Sequence, residues 1–195
     1  MSGDERVRSQ TIGAAETGTP GLRICRCATG SLWQSAELYE KAGSRPNATR
    51  SYERFLAKYP QPLEPAVEAR WRLSRLAAAD GNLAREAALL RDIFYADQNG
   101  GGGRTDRTRY LGATAALAMA EPVAAEYRKV ALVEPLQRQL RLKKTRMEEA
   151  LKAYAVAAEY GVADVTTAAT YRIATVYRDM GKAMMGSERP KKLSK

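Results

Sequence analysis

Residues Ser31 to Pro60, SLWQSAELYEKAGSRPNATRSYERFLAKYP, constrain this chain more than any other stretch. They read as two short amphipathic helices joined by a tight turn. Trp33, Ala36, Tyr39 and Ala42 recur at three-residue spacing, with Leu38 beside them, and form one side of a helix. Gly43 follows and can adopt the positive φ that ends a helix at low cost. Pro46 suits the start of the next helix, where its missing N–H is unpaired anyway. Ala48, Tyr52 and Phe55 make the inward stripe of that helix, and Pro60 stops it.

One hairpin cannot bury both of its apolar faces, so copies are expected. Alignment on the turn glycines Gly43, Gly81 and Gly181 yields two further ones. Trp33, Trp71 and Tyr171 align as large rings. Ala36, Ser74 and Ala174 align as small residues, Leu38, Leu76 and Val176 as apolar fillers, and Tyr39, Ala77 and Tyr177 follow them. After the glycine, Tyr52 matches Leu90 and Phe55 matches Ile93. The spacing predicts helices over about 66–79 and 83–95, with Leu83, Ala87, Leu90 and Phe94 of the latter facing inward.

With these residues the chain resembles the tetratricopeptide repeat family. The small, aromatic and proline positions of that repeat fall on Ala36, Tyr39, Ala48, Tyr52 and Pro60. Ala150, Tyr154 and Ala157 fit a further second helix. The match is good over 31–60, partial over 66–96 and 147–181, and absent from 1–28. The closing segment ATYRIATVYRDMGKAMMGSERPKKLS is also similar to helical-repeat proteins of the bacterial cell envelope. The resemblance implies an all-α array of antiparallel helix hairpins, an α-solenoid, acting as a non-enzymatic scaffold. A peptide or a partner's helix would lie on the surface made by the first helices of the hairpins. Residues on those helices that face away from the core stripe are the expected contacts: Gln34, Glu37, Arg72, Arg75, Arg172 and Arg178.

The rest of the chain divides around this frame. Residues 1–28 lack periodicity and read as a disordered or weakly structured lead-in. Residues 29–98 hold two hairpins. Asn99-Gly100-Gly101-Gly102-Gly103 opens a flexible loop over 99–104 and is the best internal boundary, because consecutive glycines are costly in a helix. That run lacks the Gly-Lys-Ser/Thr of a P-loop, so a phosphate cradle is disfavoured. Residues 105–186 hold long helices, with a kink or restart expected at Pro122 and with Asp164 or Thr166 as the cap of the last one. Residues 187–195 are a basic tail. The last hairpin lacks its second helix, which points to a piece of a longer protein.

Composition narrows the chemistry. There is no histidine, which removes the commonest general base and metal ligand and makes a Ser-His triad impossible. Cys25 and Cys27 are two ligands at most, too few for a zinc site, and read as free thiols. No cofactor is expected. No run of about 18 apolar residues is present, so no membrane span is expected. The N-terminus has no apolar leader core. The protein is expected in the cytoplasm, or in the periplasm or envelope if its true start lies upstream.

The formal net charge of +10 is uneven: residues 1–30 and 31–98 carry +1 each and residues 99–195 carry +8. This favours an alternative reading, nucleic-acid binding through 128–146 and the tail. The cations Arg138, Arg141, Lys143, Lys144 and Arg146 do not line up on one helical face, however. Lys143 and Lys144 flank the apolar stripe as snorkelling side chains, and a solvated face is the preferred account.

Overall fold

A computed structural model describes residues 23–187, with side chains from residue 30 onward. Every regular element among them is helical: α1 (Arg23–Lys41), α2 (Arg45–Lys58), α3 (Leu63–Ala79), α4 (Leu83–Gln98), α5 (Asp106–Lys129), α6 (Leu136–Ala158) and α7 (Ala163–Met185), with a 3₁₀ turn at Gly101–Gly103. Each helix packs on the next in sequence, and α3, α5 and α7 also touch in series. Among the described residues no helix is long and apolar enough to cross a membrane.

The first two turns repeat the same hydrogen bonds. Gly43 and Gly81 both sit at φ 72°. Ser44 N–H donates to Tyr39 O as Gly43 N–H does to Glu40 O; Asn82 and Gly81 do the same to Ala77 and Ala78. This is the Schellman arrangement, and glycine is needed at its left-handed residue. Gly181 is different. It lies inside α7, which continues to Met185, so it turns nothing.

The third expected copy is therefore out of phase. Tyr171 and Tyr177 are 62% and 57% exposed, and Ala174 is exposed with them. The buried side of α7 is Val165, Ala169, Val176 and Met180. A three-residue spacing drifts by about 60° per step around a helix of 3.6 residues per turn, so it cannot stay on one face. Mixed steps of three and four do. The same drift explains α1, where Ala36 is fully buried and Trp33 packs into the core, while Leu38 and Tyr39 are exposed. On α4, Leu83 is likewise exposed and the buried positions are Leu90, Ile93 and Asp97.

The core is a succession of apolar clusters. Ala36, Tyr52, Phe55, Ala69 and Leu73 join α1, α2 and α3. Val67, Ile93, Leu111 and Ala115 join α3, α4 and α5. Ala113, Ala157, Tyr160 and Val165 follow, and then Ala124, Tyr127, Tyr154 and Val176. Alanines at the crossings let backbones approach, while buried rings fill three of the four clusters and aliphatic side chains fill the one around Ile93 and Leu111.

Other boundaries move. α1 begins at Arg23, so residues 23–28 belong to a helix rather than to the lead-in; residues 1–22 and 188–195 lie outside the described residues. Cys25 and Cys27 fall in the first turns of α1, and their side chains also lie outside them. α5 runs unbroken through Pro122, whose exposed position leaves the lost N–H on the solvent side. α7 starts after Val162 without a side-chain cap; the Thr166 hydroxyl instead donates to Ala158 O at 3.1 Å.

The glycine-rich segment separates nothing, since α4 packs against α5 across it. Just beyond the glycines, Arg104 reaches back to the fully buried Asp97, with contacts of 3.2 and 2.8 Å. The Thr108 hydroxyl adds a 2.9 Å bond to the same carboxylate, and Thr105 and Thr108 cap α5 reciprocally. A buried carboxylate is stable only when so satisfied.

Candidate functional site

A groove of about 970 Å³ opens where α1, the end of α2, the loop at 59–62, α3 and the start of α5 meet. α1 brings Trp33, Gln34 and Glu37 to it, spaced so that two adjacent turns face the same way. Phe55 and Tyr59 come from the end of α2. Gln61 and Pro62 form the connection, and Glu64, Pro65 and Glu68 lie on the first turns of α3. Arg107 reaches in from the start of α5.

The floor is aromatic. The Trp33 ring meets Tyr52 and Phe55 edge-on at 5.4 and 5.2 Å, and Phe55 meets Tyr59 at 5.6 Å. Such tilted contacts suit the ring quadrupoles and fix the rings in place. The indole N–H of Trp33 donates to Glu37 at 3.0 Å, which commits that donor.

Beside the floor runs a chain of charges that links four helices. The Tyr52 hydroxyl donates to Glu40 at 2.9 Å. Arg72 lies 3.6 Å from Glu40 and 3.4 Å from Glu68. Arg107 grips both oxygens of Glu68 at 2.8 and 3.1 Å, a two-point fit that the planar guanidinium allows. Burial, and then the bond to Glu40, push the Tyr52 hydroxyl well above the usual tyrosine range. The Glu68 carboxylate raises Arg107 further.

The residues expected to meet a partner are only partly brought together. Gln34 and Glu37 line the groove. Arg72 stands behind its rim, tied to Glu40 and Glu68. Arg75 is exposed on α3 and lines no part of the groove. Arg172 on α7 pairs with Glu121 of α5 at 2.9 Å, and Arg178 lies 3.5 Å from its neighbour Asp179. Tyr59, Pro62, Glu64, Pro65, Glu68 and Arg107 complete the groove without having been singled out. The proline pair around the loop was a visible signal. The Glu68–Arg107 pair, 39 residues apart, was not.

The basic stretch looks different in three dimensions. Arg128 faces Glu121, Lys129 pairs with Glu126 and Arg146 pairs with Glu149. Lys143 does not snorkel: it is 4% exposed and donates to Val130 O at 2.7 Å. Arg138, Arg141 and Lys144 stay exposed, with no ion pair among the described residues.

No family model, curated protein or solved structure matches this chain.

Proposed function

We propose that the chain is a non-enzymatic protein-binding scaffold, a helical array of the tetratricopeptide kind, that holds a peptide or a partner's helix in the groove between α1, α3 and α5. One observation carries the reading: a concave surface with a fixed ring floor and a charged rim, built from residues far apart in sequence. Sites of that character bind through apolar contact and take orientation from a few polar groups. The serial packing of α3, α5 and α7, and the two identical glycine turns, support the array.

Nucleic-acid binding through 128–146 is the second reading. Three exposed cations with no ion pair among the described residues favour it, Arg138, Arg141 and Lys144. The internal pairing of Arg128, Lys129 and Arg146 and the burial of Lys143 weaken it.

Affinity capture on the immobilised full chain, at low and high salt, separates the two. A protein partner held at high salt by the wild type and lost by Gln34→Trp, which fills the groove from an exposed position, supports the scaffold. Retention by that variant counts against the groove. Nucleic acid alone, released at high salt, favours the second reading.

A further inference from the structure

The groove is acidic in a basic protein. Three carboxylates line it, Glu37, Glu64 and Glu68, against one cation, Arg107. The whole chain carries +10, so this local sign does not follow from composition. Arg107 is already engaged: its two hydrogen bonds go to Glu68, its guanidinium lies over the Tyr110 ring, and Arg72 adds a second cation at Glu68. Among the described residues Glu37 accepts the neutral indole N–H of Trp33 and has no ion pair. Glu64, in the exposed first turn of α3, has neither an ion pair nor a side-chain hydrogen bond among the described residues. Arg107 offsets Glu64 only through space, so three lining carboxylates share one lining cation and the rim of the aromatic floor stays net negative.

Resting on the groove reading above, we propose that the occupant is a short cationic peptide segment. It lays an aliphatic or aromatic side chain on Trp33, Phe55 and Tyr59 and sets a lysine or arginine beside Glu37 and Glu64. The volume suits an extended segment with one anchoring side chain, not a multi-turn helix. The rings add to the preference, because an ammonium or guanidinium is also attracted to an aromatic face. An acidic segment would meet two carboxylates and find no free cation among the described lining residues. The basic remainder of the chain repels a cationic ligand, so the groove is where the potential favours it.

The test pans a library of short random peptides on the immobilised full chain. The best binder is then measured by fluorescence anisotropy at low and high salt. Selected peptides should pair an apolar residue with lysine or arginine. Glu64→Lys, at an exposed position with no ion pair among the described residues, should leave the circular-dichroism melt nearly unchanged and weaken binding roughly ten-fold or more, with most of the salt dependence gone. Acidic or neutral peptides that lose binding to Gln34→Trp but are indifferent to Glu64→Lys would overturn the charge preference and leave the groove standing. No enrichment, or binding insensitive to both substitutions, overturns both.

Discussion

Lys143 sits within the apolar stripe of α6, in step with Leu140, Met147 and Tyr154, and spends its ammonium on the end of a different helix. Its Nζ lies 2.7 Å from Val130 O, 3.4 Å from Tyr127 O and 4.4 Å from the centre of the Tyr127 ring. These are the last carbonyls of α5, where helical partners run out and the dipole favours a cation. No carboxylate lies within ion-pair distance among the described residues, and burial lowers the Lys143 pKa. Lys143→Met keeps the length and removes the donor. Tyr127 O keeps the Val130 N–H, so relief of a buried charge works against the cost of one orphaned carbonyl, Val130 O, about 1–3 kcal/mol. The orphaned Val130 carbonyl should win, with a net loss of about 1 kcal/mol in urea unfolding; a more stable variant would refute the capping role. Gly112 makes a second case. A Cβ there would stand 2.9 Å from the Tyr160 hydroxyl and 3.1 Å from Asp97. Alanine gains about 1 kcal/mol of helix propensity. Overpacking against a ring pinned by Gln98 and a carboxylate pinned by Arg104 costs about 1–3 kcal/mol. Gly112→Ala should therefore lower the melting temperature, where in an open helix it would raise it.

At the scale of the element, the phase of α7 is open to direct test. Tyr171→Ser with Tyr177→Ser should change stability by no more than about 0.5 kcal/mol, since both side chains face solvent. Val176→Ala, at 1% exposure, should cost about 2 kcal/mol. A reversed order in chemical denaturation would restore the glycine alignment at Gly181. These residues also show what the sequence could convey. Helix existence was legible from Ser31 onward, because Gly43, Gly81 and Pro60 punctuate a strong helical period, but not over 23–28, where no periodicity marks the start of α1. Ala36, Tyr52 and Phe55 were legible as core because they lie near a turn that fixes their phase. Tyr171, Ala174 and Tyr177 were misread because a ring-small-ring spacing of three drifts round the helix and had no true turn to anchor it. At the site, Gln34 and Glu37 could be placed from one helix. Glu64, Glu68 and Arg107 required knowing that α5 returns beside α3, a long-range contact that no local pattern encodes.

At the scale of the whole molecule, the buried tyrosines make the fold sensitive to base. Tyr52 fills the first cluster, Tyr160 the third, and Tyr127 and Tyr154 the one closed by α7. Burial is the first cause raising each of them. The neighbouring Glu40 carboxylate adds to this at Tyr52, and Glu121 does so at Tyr154. A folded pKa above the unfolded value of about 10 means that stability is fully present below pH 10. It is lost as pH rises from there through the folded values, because only the unfolded chain releases these protons readily. Lys143 acts in the opposite direction, since its lowered pKa makes its contribution grow as pH approaches the ordinary lysine value. Four tyrosines against one lysine set the sign. Helicity followed by circular dichroism should fall cooperatively above about pH 10, together with a step in phenolate absorbance. The helices nearest the groove should respond most to Tyr52→Phe, which keeps the ring and removes one ionisable group. That variant should keep its helix to higher pH than the wild type, after a small loss at neutral pH from the missing bond to Glu40. Tyrosine ionisation that runs to completion with helicity intact would show that these hydroxyls reach water without unfolding, contrary to their place in the core.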